Sequence, residues 1–205
     1  MTFVFLMAHG ISKRRCAMPR LFTGIEVPPR LISRLSLLRG KLIGARWIDP
    51  ENFHLTLRFA GDIDDLQASA FASALEEIDF DSFEISIEGL GSFGGNKPRA
   101  LFAGVRLSDP LARLQKAHER AARRAGLPPE TRNFTPHITL ARLKETRAAA
   151  VAEYLSYYGG FIAEPFRVSR FVLFSSRANQ GGGPYLIEAC YPFRGARGRE
   201  AGAIA

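Results

Sequence analysis

Cysteine is scarce in this chain of 205 residues: Cys16 and Cys190 are the only two, and they lie near opposite ends. They match no metal-binding or redox spacing, so a thiolate site is not expected and a reducing cytoplasm is the plain inference. Long apolar runs are missing as well. None approaches the roughly 20 residues that a membrane-spanning helix requires, so no membrane partner is expected. Acidic residues are in deficit, 20 against 28 Lys and Arg, giving a net charge of +8. That surplus shrinks on inspection. Lys13, Arg14 and Arg15 contribute +3 with no acid before residue 18, and Arg194, Arg197 and Arg199 against Glu200 contribute +2, which leaves the body of the chain at about +3. A mildly basic body suits a small anionic ligand or an RNA end better than a long groove tracking many phosphates.

Residues 1–17 look foreign to the rest of the chain. Their apolar burst, Phe3 to Ala8, precedes the basic cluster, the reverse of a secretory signal. A start placed too early is expected, with Met18 as the true beginning; a membrane-touching anchor is the minor alternative. Residues 18–193 then form one domain of two lobes, and residues 194–205 a loose basic tail.

A four-residue phrase occurs twice: His54-Leu55-Thr56-Leu57 and His137-Ile138-Thr139-Leu140. Each sits in an alternating apolar run that predicts a β-strand, and on a strand His and Thr two apart share a face. Other features repeat with it. Leu101-Phe102-Ala103-Gly104-Val105 echoes Leu21-Phe22-Thr23-Gly24-Ile25 at an offset of 80, the second His follows the first by 83, and Phe83 and Phe166 each lie 29 beyond their histidine. The matched spacings predict a duplication, each half a strand-helix-strand-helix-strand unit, the two His phrases meeting at one cleft.

In detail, strands are expected over 21–27, around the two phrases, from Phe83 to Ile87, over 101–105, from Phe166 to Phe174 and from Tyr185 to Ala189. Helices are expected where Leu31, Leu35, Leu38 and Leu42 recur, around Phe71, Leu75 and Ile78, over 110–125 and from Thr146 onward. The stretch Gly89 to Pro98, with four glycines before Pro98, is expected to be a flexible loop between the halves.

A lone histidine on a half-buried strand is usually a packed core residue. A duplicated His with its hydroxyl neighbour is harder to explain by packing. Two histidines without a nearby Cys or carboxylate fall short of a zinc ligand set, so no metal and no cofactor are expected. Two imidazoles suit a reaction in which one group takes a proton while another gives one. Threonine hydroxyls and a guanidinium could hold the oxygens of a phosphodiester, where negative charge builds. Arg58 shares strand parity with His54 and Thr56 and is a candidate phosphate ligand. Arg142 has the wrong parity for the His137 face unless a bulge returns it. For either arginine a solvated surface role is as good a reading. Phe134, just before the second phrase, is the candidate base-stacking ring, with core packing the plainer reading of it. Arg113, Lys116, Arg120 and Arg124 make a basic stripe on a helix, best read as a solvated face.

The runs Phe53 to Gly61 and Thr135 to Arg142 resemble the paired motifs of the two-histidine (2H) phosphoesterases. More narrowly, they resemble the LigT-like RNA 2',3'-cyclic phosphodiesterases, once described as 2'-5' RNA ligases. Arg20-Leu21-Phe22, Ala45-Arg46-Trp47 and Pro98 to Gly104 fit the same family. The resemblance spans about 18–193. It implies an α+β fold with two pseudo-symmetric lobes of antiparallel sheet, helices outside, around a central cleft. It also implies metal-independent opening of an RNA terminal 2',3'-cyclic phosphate to a 2'-phosphate, with weak joining in the reverse direction. Within it His54 is assigned as general acid and His137 as general base, with Thr56, Thr139, Arg58 and Arg142 on the phosphate. The partners implied are RNA ends or cyclic nucleotides. A monomer is expected, since two internal copies already complete the cleft. Two alternatives stay open: a module that binds a nucleotide or RNA end without turning it over, and a 2H enzyme acting on 2'-5' oligonucleotides or an ADP-ribose cyclic phosphate.

Overall fold

In the computed structural model, residues 20–176 and 184–194 are described. The expectations for residues 1–17, for most of the tail and for the Gly181-Gly182-Gly183 loop lie outside them. Among the described residues nine strands and four helices follow one another as β1 (Arg20–Glu26), α1 (Pro29–Ser36), β2 (Ala45–Trp47), β3 (His54–Asp62), α2 (Asp65–Glu76), β4 (Phe83–Phe93), β5 (Ala100–Val105), α3 (Asp109–Arg124), β6 (His137–Leu143), α4 (Ala148–Tyr158), β7 (Ile162–Val168), β8 (Arg170–Ser176) and β9 (Tyr185–Pro192). A short 3-10 turn at Pro50–Asn52 precedes β3.

The strands form one antiparallel sheet in the order β7-β4-β5-β6-β3-β1-β8-β9, with β2 beside the end of β6. Its two halves are joined at the centre by a single partner pair, Leu55 with Ile138. β3 and β6 overlap only at the two His phrases and then part. The phrases therefore sit where the lobes meet, as the duplication predicts.

The other side of the sheet is apolar and covered. Leu55, Leu57, Ile138 and Leu140 pack with Leu31 and Leu35 of α1, Phe71 and Leu75 of α2, and Leu111 and Leu114 of α3. A smaller cluster joins Leu101, Ala141 and Leu143 to Val151 and Tyr154 of α4. Side-chain oxygens of Asp64 and Ser108 accept from the N–H groups of Gln67 and Leu111, closing the first turns of α2 and α3.

Four elements depart from expectation. α1 ends at Ser36, and Leu38 and Leu42 are buried from the turns beyond it. The chain there needs Gly44 at φ +81, where a Cβ would collide with the Lys144 carbonyl. α4 begins only at Ala148, after Thr146. The glycine-rich stretch is mostly strand: β4 runs on to Phe93, with Gly91 lying so close to the Phe102 ring that a Cβ would meet it at 2.6 Å. Finally, the run from Phe166 to Phe174 is two strands. β7 pairs with β4, and after Ser169 the chain crosses to pair β8 with β1. Among the described residues no helix is long and apolar enough to cross a membrane.

Candidate active site

Each histidine opens its strand, and each is held the same way. The Nδ1–H of His54 donates to the Asn52 carbonyl at 2.8 Å, and that of His137 to the Thr135 carbonyl at 2.7 Å. A carbonyl only accepts, so Nδ1 carries the hydrogen and Nε2 is left as the basic nitrogen of both neutral rings. Because Leu55 pairs with Ile138, antiparallel register sets Thr139 across from His54 and Thr56 across from His137. All four alternate with buried apolar neighbours and so stand on the open face. Directly opposed side chains start about 5 Å apart and the two histidines lie on the diagonal, at roughly 7–8 Å. A tetrahedral phosphate fits between groups so spaced. Among the described residues neither threonine hydroxyl has a protein partner.

Aromatic rings wall both imidazoles. Phe22, Phe174 and Tyr185 surround His54 with centroids 4.8, 5.5 and 4.9 Å away. Phe93 and Phe102 flank His137 at 4.8 and 5.4 Å. Beside His54 a cavity of about 580 Å³ continues between Val27, Phe166, Phe174 and Tyr185. That is room for a nucleoside-sized ligand.

Both motifs contain a bulge at the same step, three residues after the histidine. Thr56 faces Gly24 while Arg58 faces Thr23, so Leu57 is the extra residue; Thr139 faces Phe102 while Ala141 faces Leu101, so Leu140 is. Each bulge turns the fourth residue after His inward and the fifth outward. Arg142 is thereby returned to the face of His137 and Thr139, exposed and without an ion-pair partner among the described residues. Its charge reaches both rings. Burial among aromatics brings the His54 pKa down to about 4, and the positive charges of His137 and Arg142 add to this against the opposing hydrogen bond to Asn52. The His137 pKa is lowered too, by burial first and then by Arg142, against its bond to Thr135. At neutral pH both rings of the ligand-free protein are therefore uncharged, and Arg142 is a cation left to meet an anion. Among the described residues no three His, Cys, Asp or Glu side chains are grouped to hold a metal.

A family model described as LigT like Phosphoesterase matches residues 25–102 and 105–185. The chain belongs to this family. Among its curated relatives, an RNA 2',3'-cyclic phosphodiesterase of Aquifex aeolicus is 33% identical over 79% of this chain and 87% of its own length. One of Aeropyrum pernix is 35% identical over 57% of this chain and 70% of its own. Among solved structures, E. coli LigT complexed with 3'-AMP superposes with a TM-score of 0.70 at 23% identity, covering 86% of this chain and 99% of that one. The fold is thus LigT-like and α+β, as the resemblance implies.

Within this LigT-like frame two of the expected site residues are elsewhere. Arg58 is no phosphate ligand: the Leu57 bulge turns it inward, where it is 6% exposed. Its Nε donates to Glu119 of α3 at 2.6 Å, and its other nitrogens donate to the Phe59 and Pro128 carbonyls. Phe134 packs against the main core and touches neither imidazole ring, so it is not placed as a stacking platform. An exposed aromatic beside the rings around His54 is instead Phe59, 42% exposed and stacked on Phe22 at 6.4 Å. It occupies in the first motif the place of Arg142 in the second. Asn52 carries no signal in the sequence pattern. It is 4% exposed; its carbonyl fixes His54 and its Oδ1 accepts from the Tyr185 N–H at 3.0 Å. The repeated Leu-Phe at 21–22 and 101–102 could have identified Phe22 and Phe102, since the duplication extends to them.

Proposed function

We propose that this LigT-like phosphoesterase hydrolyses the 2',3'-cyclic phosphodiester at an RNA end to a 2'-phosphate. The observation that carries the reading is the square formed by His54, Thr56, His137 and Thr139, each imidazole with its Nδ1 hydrogen pinned and Nε2 left for proton transfer. The relatives named RNA 2',3'-cyclic phosphodiesterase support the same substrate. In this reading Thr56, Thr139 and Arg142 hold the non-bridging oxygens. His137 Nε2 takes a proton from water as its oxygen bonds to phosphorus. The P–O3' bond breaks, and protonated His54 gives its proton to O3' as it leaves. One proton enters and one is released, so the two rings exchange roles and solvent resets them.

His54 is the better donor because its surroundings hold a proton weakly. Binding the anionic substrate beside Arg142 offsets that cation and supplies the charge that favours protonating the ring. His137, in the more open setting, is the better acceptor. Phe59 supplies the exposed face for the terminal base, the role that Phe134 does not fill. Residues 18–193 act as one domain, as a monomer in the cytoplasm, with weak reverse joining of 2'-phosphate-type ends.

The test is hydrolysis of a short RNA ending in a 2',3'-cyclic phosphate, with EDTA present, by wild type, His54→Ala and His137→Ala. Opening to the 2'-phosphate by wild type alone supports the reading. A substrate whose leaving group needs no proton separates the roles: it should rescue His54→Ala and not His137→Ala, and the reverse pattern would swap the assignment. No turnover, with nucleotide binding that survives both substitutions, would make the protein a binding module.

A further inference from the structure

β2 lies against the end of β6 with Ala45 opposite Leu143, Arg46 opposite Arg142 and Trp47 opposite Ala141. Ala141 and Leu143 are buried in the cluster beneath α4, and Ala45 and Trp47 pack against the same cluster. Strand alternation then sets Arg46 and Arg142 together on the other face. The Leu140 bulge makes that the face of His137 and Thr139. Two guanidinium groups thus stand directly opposite each other at the mouth of the site, both exposed.

Like charges directly across a ladder are destabilising. Several other arginines are paired with acids, among them Arg20 with Asp62, Arg58 with Glu119, Arg124 with Glu77 and Arg132 with Glu130. Among the described residues neither Arg46 nor Arg142 has an acidic partner. A pair left uncompensated beside a phosphate-opening site is placed to be compensated by the ligand. One anion at the His phrases accounts for Arg142; Arg46 stands across from it on the neighbouring strand β2, exposed on the same face, and is left for a second anionic group along a strand.

We propose that Arg46 forms a second anion subsite, holding the phosphate on the 5' side of the terminal nucleotide, so that the cleft prefers an oligonucleotide end to a cyclic nucleoside phosphate lacking that group. This rests on the hydrolytic reading above and adds to it a substrate length. The bridging phosphate is recognised by charge and a guanidinium fork, with no demand on the base it precedes.

The experiment compares kcat/KM on a nucleoside 2',3'-cyclic phosphate with that on a dinucleotide ending in the same group, for wild type, Arg46→Gln and Arg46→Lys. Wild type should favour the dinucleotide. Arg46→Gln should reduce that preference about tenfold, the size of one charge-assisted contact, and mainly through KM. Arg46→Lys should keep an intermediate preference. An unchanged preference in Arg46→Gln would overturn the subsite, whether both activities fell together or neither did. Affinities for the nucleoside 2'-phosphate and the dinucleotide 2'-phosphate are measured alongside by calorimetry. If wild type hydrolyses neither substrate, the hydrolytic reading fails, and calorimetry decides the subsite. A selective loss of dinucleotide affinity in Arg46→Gln upholds it, and an equal change for both ligands removes it.

Discussion

Arg58 and Arg142 follow the two histidines by four and five residues, and a single inserted residue in each strand sends them to opposite sides of the sheet. The consequences differ in kind. Arg58 is buried against Glu119, so Arg58→Ala leaves that carboxylate without its partner and removes the donors to two carbonyls. A loss of about 3 kcal/mol in urea unfolding is expected. The fraction still folded should hydrolyse the cyclic phosphate nearly as well as wild type, an outcome that a phosphate ligand could not give. Arg142→Gln should do the reverse. Stability should be nearly unchanged while kcat/KM falls about 10²–10³-fold, the range for removing one preorganised group at a developing charge. Because the Arg142 charge lowers both imidazole pKa values, both should rise in Arg142→Gln when followed by NMR titration. A rise at neither ring would place Arg142 away from the site.

At the scale of elements, α3 hides a third histidine with a different use. His118 is fully buried, its Nδ1–H donates to the Leu114 carbonyl at 2.9 Å, and its ring meets Phe171 edge-on at 4.4 Å. Burial brings its pKa from 6.5 to about 4. Between those values the unfolded chain binds a proton that the folded chain does not, so stability rises with pH across this window and is lost on acidification from about pH 6.5 toward 4. The expected loss is roughly 3 kcal/mol for such a ring. His118→Leu should reduce the dependence of the urea midpoint on pH, leaving the part contributed by the site histidines, of which His54 is lowered to the same value of about 4; an unaltered slope would mean that His118 titrates normally. How the sequence anticipated this molecule is clearest among such elements. The duplicated phrases revealed themselves because strand alternation and hydroxyl spacing are written in consecutive residues. The bulge at Leu57 was not legible, since Thr-Leu-Arg-Phe alternates acceptably without it, and that at Leu140 showed only as the awkward parity of Arg142. Their signal lies in the partner strands' register. The same limit explains the glycines of β4, which look like a loop until Phe102 lies against Gly91.

At the scale of the whole molecule the two sequence halves are not the two structural lobes. β4 belongs to the first half, yet both its sheet neighbours, β5 and β7, come from the second. β1 pairs with β3 of its own half on one side and with β8 of the other half on the other. β2 has its partner, β6, across the same divide. Each half therefore lends strands to the opposite lobe, and the proposed catalytic square is assembled from one phrase of each. A cut in the exposed turn at 94–97, between β4 and β5, tests how far the halves depend on one another. The fragment ending there keeps only the β1–β3 ladder, and its β4 is left with two unpaired edges. The second fragment keeps β5 with β6 and β8 with β9, but has lost β4, β3 and β1 from between its remaining strands. Neither fragment alone should show a cooperative thermal transition by circular dichroism. Refolded together they should regain both the transition and turnover of the cyclic phosphate, because the cut severs a turn and no strand ladder. A cooperative transition in either fragment alone would mean that one lobe is stable without its borrowed strands.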